Sequence, residues 1–210
     1  FYKSTINYYI NTHEQNCGHA ATGYAKMSGN TAVIIATSGP GVTNLVTPML
    51  DLQNDSTPGV VITGQVGLKN IGTDAFQEAP STEITKSFTK ASILVKNAND
   101  LDNIMDYAFL LANDGKKGVV HIDLPKCVST DIIDSRISNL YLDEISELKK
   151  KKNYENSKKT IYEVSEIINK SQKPIFVLGQ GAIDNDYFLK KIIHKNNIPY
   201  TTTIHGKGIV

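Results

Sequence analysis

The chain lacks the features that mark several broad classes of protein. Its 210 residues contain no apolar run that approaches the roughly 18 residues of a membrane span. A net charge of +1 gives no basic excess for nucleic acid, and two cysteines are too few for a disulfide framework. The chain opens at Phe1 without a visible signal or transit peptide, so we expect that it was processed or that its true start is missing. These absences favour an intracellular globular protein that binds neither membrane nor nucleic acid.

Short apolar runs alternate with helical patterns along the chain. Strands are predicted at residues 6–10, 32–36, 60–62, 93–95 and 119–122, because such runs are typical of a parallel sheet buried on both faces. Helices are predicted at residues 16–28, 41–52 and 100–113, with Gly29 as a C-cap and Asp100 as an N-cap. The alternation predicts an α/β fold built from right-handed crossovers around a parallel sheet.

The composition changes after Pro125 and indicates two domains. We assign residues 1–133 to a first domain and residues 134–157, which include a run of four lysines, to a solvated linker. Residues 158–210 begin a second α/β unit, with helices near 158–170 and 184–196 around a strand at 174–178 and a further extended segment at 199–203. One such unit does not complete a sheet, so we expect the chain to be a fragment of a larger protein.

Three short motifs carry the candidate chemistry. Glu14 begins a small-residue helix, where a carboxyl group either is desolvated, which raises its pKa, or simply complements the helix dipole. Residues 37–44 read Thr-Ser-Gly-Pro-Gly-Val-Thr-Asn, and glycines between a strand and a helix permit a sharp turn close to a ligand. Residues 72–78 read Gly-Thr-Asp-Ala-Phe-Gln-Glu, which alone indicates an exposed loop with one buried Phe. Together the motifs predict a cofactor pocket at strand ends.

In this order the motifs resemble the pyrimidine-binding domain of thiamine diphosphate (ThDP) enzymes and, among these, the large subunits of acetolactate synthases (acetohydroxyacid synthases). The resemblance implies that Glu14 hydrogen-bonds N1′ of the aminopyrimidine of ThDP and controls its protonation. It implies that Pro40 packs against the pyrimidine and that Asn44 lies near the cofactor across a dimer interface. Gln77 would be a catalytic and ThDP-binding amide, and Phe76 would shape the substrate channel.

The resemblance reaches beyond these motifs. Lys126 matches a lysine at the channel mouth, with a plain solvated lysine as the alternative. Lys116 stands where the family has an arginine that contacts FAD, and a lysine keeps the charge but loses the bidentate fork. Further FAD-binding candidates, which resemble the family's central domain, are Gly179, Gln180, Gly181, Thr203, Ile204 and His205. The family holds Mg²⁺ and the diphosphate in a later domain, so no metal site is expected here.

The activity implied by the resemblance is acetolactate synthesis. The whole enzyme would decarboxylate pyruvate and condense it with a second pyruvate to give 2-acetolactate, or with 2-oxobutyrate to give 2-aceto-2-hydroxybutyrate, on the route to valine, leucine and isoleucine. It would be a homodimer with its active site at the interface, together with a small regulatory subunit. Its location would be the cytoplasm of a bacterium, or a plastid or mitochondrion of a eukaryote. These residues alone are expected to be inactive. Two alternatives remain: another ThDP-dependent 2-oxo-acid enzyme of the pyruvate oxidase or carboligase type, and a non-catalytic remnant.

Overall fold

A computed structural model describes residues 4–133, 138–152 and 158–210. The chain divides into two compact units, Phe1–Tyr154 and Glu155–Val210. Among the described residues, no helix is both long enough and apolar enough to cross a membrane.

The first unit is built on a parallel sheet of four strands. The strands are β1 (Ala32–Ala36), β2 (Gly59–Gln65), β3 (Ala91–Leu94) and β4 (Val119–Pro125). They are arranged in the order β1-β2-β4-β3, and every pairing is parallel. The prediction of a parallel α/β fold is therefore confirmed, and these four strands coincide with four of the predicted apolar runs.

Helices cover both faces of this sheet. They are α1 (Glu14–Ser28), α2 (Pro40–Asn44), α3 (Val46–Asn54), α4 (Ser81–Lys86), α5 (Leu101–Asn113), α6 (Lys126–Ser129) and α7 (Leu142–Lys152). On one face, Ile34 and Val61 form a buried cluster with residues of α3 such as Met49. On the other face, Val60 and Ile122 form a second cluster with residues of α5. The buried strands therefore carry apolar side chains in both directions, as the continuous apolar runs predicted.

Helix ends follow from particular residues. Gly29 ends α1 in the left-handed conformation (φ 73°) and donates its N–H to the Ala25 carbonyl at 3.0 Å, so it is the predicted C-cap. Asp100 makes no side-chain capping bond to α5, and its carboxylate instead accepts a hydrogen bond from Ser138 at 2.5 Å. The capping bond lies one turn earlier, where Asn97 accepts from the Asn99 N–H at 3.0 Å.

Three sequence predictions need correction. Residues 6–10 do not form a strand: the segment is exposed, and within the described part of the chain no strand pairs with it, so its apolar side chains lack the ladder that a strand requires. The single helix expected at 41–52 is broken at Leu45, because Pro48 has no N–H and is tolerated only in the first turn of the new helix α3. Asp100 is the third case: it occupies the predicted N-cap position of α5, but its side chain does not make the capping bond.

Part of the segment assigned to a linker is ordered. Residues 142–152 form α7, whose Ile145 and Leu148 are buried, and the adjoining Tyr141 stacks on Tyr107 of α5 with ring centroids 4.3 Å apart. The apolar positions on this lysine-rich helix are therefore part of the first unit's packing. Residues 134–137 and 153–157 of the predicted linker lie outside the described residues.

The described part of the second unit, residues 158–210, contains one parallel strand pair. Its elements are α8 (Lys158–Lys170), β5 (Phe176–Leu178), α9 (Asp186–Asn196) and β6 (Tyr200–Thr202), with 3₁₀ turns at Gln180–Asn185 and Ile204–Gly206. The strands pair in register from Phe176–Tyr200 to Leu178–Thr202. Leu178, Ile193 and Ile209 form its small buried cluster.

Candidate active site

The candidate site lies where the strands of the first unit end. The carboxyl ends of β1, β2 and β4 border a shallow cleft of about 360 Å³, lined among others by Ser38, Gly64, Gln65 and Lys126. In parallel α/β sheets this edge is where ligands bind, because the loops and helix starts that follow the strands converge there.

Glu14 stands at this edge as the first residue of α1. Its Oε2 accepts a hydrogen bond from the Asn44 side-chain amide at 3.1 Å. The preceding His13 caps the helix, since its Nδ1 accepts from the Gln15 N–H at 3.1 Å. Glu14 and Asn44, which lie 30 positions apart in the sequence, therefore form one polar pair.

The electrostatics of Glu14 differ from the desolvated carboxyl that was one of the two alternatives left open by the sequence. Its own backbone N–H and then the Asn44 amide hydrogen-bond the carboxylate, and these bonds lower the pKa of Glu14 from its ordinary value. Burial acts in the opposite direction and is the weaker influence, because the side chain is only partly covered. In this chain Glu14 is therefore an ionised acceptor at neutral pH.

The glycine turn brings the other two motifs against each other. Gly39 has φ 58° and ψ −112°, and a Cβ built on it would lie 2.6 Å from the Gln77 carbonyl oxygen. A Cβ on Gly41 would lie 2.8 Å from the Thr37 Cγ2 and 3.6 Å from the Glu14 Oε1. Only glycine fits at either position without moving a neighbour. Pro40 between them is exposed and occupies the first turn of α2.

The loop at 72–78 is shaped by its last residue. The Glu78 carboxylate accepts hydrogen bonds from the backbone N–H of Gly72 and from that of Ala75, the latter at 3.1 Å, and this backbone hydrogen bonding lowers the pKa of Glu78. Gln77 has a positive φ of 60°. Phe76 is 89% exposed, so the buried Phe of the plain loop interpretation is wrong. The aromatic ring and the Gln77 side chain are both presented to solvent at the site edge.

Lys126 joins the same edge and Lys116 does not. Lys126 follows β4 directly, is exposed and lines the cleft. Lys116 precedes β4, so it lies at the amino edge of the sheet, where its carbonyl accepts from the Lys90 ammonium at 2.9 Å. In the first unit the structure therefore brings Glu14, Asn44, Pro40 and Gln77 together around the glycine turn. It places Lys126 in the cleft at the same edge of the sheet and Lys116 at the opposite edge.

The second unit brings its own candidates together. The strands β5 and β6 end side by side, and the Thr203 N–H donates to the Leu178 carbonyl at 3.0 Å. The 3₁₀ turns that follow hold Gln180 and Gly181 on one side and Ile204 and His205 on the other. A Cβ on Gly179 would lie 3.9 Å from the Thr203 Oγ1.

A buried polar network beneath the loop was missed by the sequence analysis. Thr63 bonds the His121 Nε2 at 2.7 Å and donates to Asp123 at 3.0 Å, and Gln65 donates to the other Asp123 oxygen at 2.9 Å. Burial lowers the pKa of His121 to about 4 and raises the pKa of Asp123 to about 6. The available signal was the alternation of polar residues, at 121 and 123 and at 63 and 65, within otherwise apolar strands.

No cation centre accompanies these groups in the described residues, where no three His, Cys, Asp or Glu side chains are grouped as metal ligands.

Comparison with known proteins supports the resemblance inferred from the motifs. Residues 1–84 match the family model described as thiamine pyrophosphate enzyme, N-terminal TPP binding domain. The chain is 39% identical over 209 residues to the mitochondrial acetolactate synthase catalytic subunit of Saccharomyces cerevisiae, a match that covers 97% of this chain and 30% of that protein. It is 37% identical over 210 residues to an acetolactate synthase of Mycobacterium leprae, covering 99% and 33%. It is 39% identical over 206 residues to the chloroplastic acetolactate synthase 1 of Zea mays, covering 93% and 30%. The family resemblance is confirmed, and the chain spans about a third of the length of these relatives.

Proposed function

We infer that this chain, a member of the acetolactate synthase family of ThDP-dependent enzymes, supplies the pyrimidine-binding part of an acetolactate synthase. The observation that carries the proposal is the meeting of Glu14 and Asn44 beside a turn of glycines at the carboxyl edge of a parallel sheet. That arrangement holds a partly exposed carboxylate in a fixed place, which the plain helix-dipole interpretation of Glu14 does not require.

The residues present fit the aminopyrimidine half of ThDP. The Glu14 carboxylate is partly exposed, and its Oε1 faces the side of Gly41 where any larger residue would place a Cβ. A carboxylate can accept a hydrogen bond from a ring nitrogen only if part of it is accessible, and the partial exposure of Glu14 meets that condition. When bound, ThDP supplies the electron sink for decarboxylation of a 2-oxo acid.

Each side chain then has a stated task. Glu14 holds a proton at N1′ of the pyrimidine, and Asn44 keeps the accepting carboxylate in place. The resemblance implies that Pro40, which is exposed at the start of α2, packs against the ring. Phe76 and Gln77 face the incoming substrate from the loop, and the Gln77 amide donates to substrate oxygens. Lys126 attracts the anionic 2-oxo acid at the mouth of the cleft.

The whole protein's activity follows as a proposal. It would decarboxylate pyruvate and join the product to a second pyruvate or to 2-oxobutyrate, as a transferase of branched-chain amino-acid biosynthesis. We propose a homodimer with the site at its interface and a separate regulatory subunit. The location would be that of its bacterial, mitochondrial or chloroplastic relatives. Mg²⁺ would be held by the part of the protein beyond these 210 residues, so this chain alone would be inactive.

FAD binding is proposed for the second unit. Its candidates are Gly179, Gln180, Gly181, Thr203, Ile204 and His205, which lie at the carboxyl ends of two parallel strands, the usual position for a dinucleotide in an α/β fold. Lys116 of the first unit is proposed to contact FAD with a single point charge, where the family has the arginine fork.

The test is acetolactate formation from pyruvate by the protein from the complete gene, with Mg²⁺. ThDP is present or omitted, each with and without FAD. We expect product only with ThDP, and loss of product on omitting FAD if Lys116 and the second unit still support the flavin. No product from a folded, dimeric protein in any mixture would refute the proposed activity.

A further inference from the structure

We propose that Gln65 is a positioning residue that clamps the base of the loop 66–80, which connects β2 to α4 and carries Phe76 and Gln77. What the loop does in the reaction rests on the proposed function above. The position of the loop on the sheet does not depend on that function, and we argue it from the contacts of Gln65.

One side chain joins both ends of the loop. Gln65 is the last residue of β2, and its Oε1 accepts from the N–H of Val66, the first loop residue, at 2.9 Å. Its Nε2 donates to the carbonyl of Ala79, near the other end, at 2.9 Å and reaches the Ser81 Oγ at 3.3 Å. The amide of Gln65 therefore closes the loop at its base.

The Gln65 amide is itself fixed by hydrogen bonds to residues of the sheet. Its Nε2 also donates to Asp123 Oδ2 at 2.9 Å, and Asp123 accepts from Thr63 at 3.0 Å. The network continues through His121, whose Nδ1 bonds Thr85 at 2.8 Å and Ser92 at 3.0 Å. Gln65 is 6% exposed and Asp123 is 1% exposed. Because such a network is buried and satisfied, it fixes the direction of the amide rigidly.

The other side-chain bonds of the loop do a different task. The bonds from Glu78 to Gly72 and Ala75 join residues of the loop to each other, so they set the shape of the loop tip but not its position relative to the sheet. The exposed Cys127 thiol accepts from the Leu68 N–H at 3.4 Å, an ordinary distance for sulfur, and attaches the start of the loop to α6. Gln65 is thus a buried link between both loop ends and the sheet. Gln77, whose backbone also packs against Gly39, depends on that link for its position over the site.

The first experiment measures the loop without reference to catalysis. Hydrogen exchange of the amides at 66–80 is compared in wild type, Gln65→Met and Ser92→Ala, using the protein from the complete gene. Methionine has a similar length and shape but donates nothing, whereas Ser92→Ala removes two bonds of the same network, to His121 and Thr85, away from the loop. We expect faster exchange in the loop for Gln65→Met alone. Unchanged loop exchange in a folded Gln65→Met protein, or equal acceleration in Ser92→Ala, would overturn the proposal.

The second experiment asks whether Gln65 acts through Gln77. In a double-mutant cycle, Gln65→Met should lower kcat/KM roughly 10- to 100-fold in the wild-type background, the loss expected from a displacement of about 1 Å. In the Gln77→Ala background the same change should cost less than about threefold, because the residue it positions is gone. Equal losses in the two backgrounds would contradict the positioning role.

Two safeguards keep the outcomes separate. If Gln65→Met does not fold, Gln65→Asn is used, since it keeps the amide but shortens its reach. An inactive wild type would remove the proposed function and the cycle with it, but the exchange measurement would still decide whether Gln65 clamps the loop.

Discussion

Gly39→Ala is the substitution that most directly tests how the motifs are assembled. Gly39 has a backbone conformation that residues with a Cβ rarely adopt. A Cβ on Gly39 would lie only 2.6 Å from the Gln77 carbonyl oxygen. An alanine therefore meets strain in its own backbone and a clash with the loop at the same time.

The cost can be worked from these two sources. Holding a non-glycine residue in such a conformation costs about 1–3 kcal/mol. Overpacking against backbone costs another ~1–3 kcal/mol, of which the loop recovers part by moving away. We expect a total loss of about 2–4 kcal/mol in the free energy of unfolding, with the displaced loop also lowering activity in the whole enzyme.

Gly23→Ala is the matched control. Gly23 lies within α1, and a Cβ there meets nothing within 4 Å, so alanine should stabilise the helix by about 0.5–1 kcal/mol. Urea unfolding of the two variants and wild type, followed by far-UV circular dichroism, gives the comparison. A Gly39→Ala chain as stable as wild type would refute the close packing of the turn against the loop.

Two further predictions concern the loop and the buried network. Glu78→Gln should speed amide exchange at Gly72 and Ala75, because a carboxamide has one accepting oxygen where the carboxylate has two; Glu83→Gln, on the exposed side of α4, should leave that exchange unchanged. Asp123→Asn should make the free energy of unfolding fall more steeply between pH 6.5 and 4 than in wild type. The pKa of His121 is lowered from 6.5 to about 4, so the unfolded chain binds this proton first and stability is lost as pH falls through the range. The pKa of Asp123 is raised from 3.8 to about 6, so the folded chain binds this proton first and stability is gained as pH falls, which offsets the loss. Equal slopes in urea unfolding measured across this range would contradict the second prediction.

The sheet was predictable because burial on both faces leaves continuous apolar runs in the sequence. The run at 6–10 shows the limit of that signal: apolar side chains indicate a strand only where a partner strand supplies the ladder. The break at Leu45 was also readable in principle, because Pro48 cannot continue a helix that began at Gly41.

The sequence offers candidate site residues where a motif is contiguous, but it does not show which of them the fold brings into contact. Glu14 and the residues of the turn and loop were chosen as candidates from contiguous sequence motifs. Their mutual arrangement, such as the Asn44 bond to Glu14, depends on packing between elements 30 residues apart. The lowered pKa of Glu14 could not be foreseen, because hydrogen bonds and burial act in opposite directions and only their geometry decides the sign.

The central claim is that Glu14 acts in ThDP chemistry and is more than an acid at a helix start. The measurement is turnover of pyruvate to acetolactate by the protein from the complete gene, for wild type, Glu14→Gln and Glu83→Gln. Glu83 is the matched control, since it is an exposed acid in the first turn of α4. We predict that Glu14→Gln lowers turnover by roughly 10²–10⁴-fold, the range of general acid–base catalysis, and that Glu83→Gln has near-normal turnover. Near-normal turnover in Glu14→Gln would contradict the account.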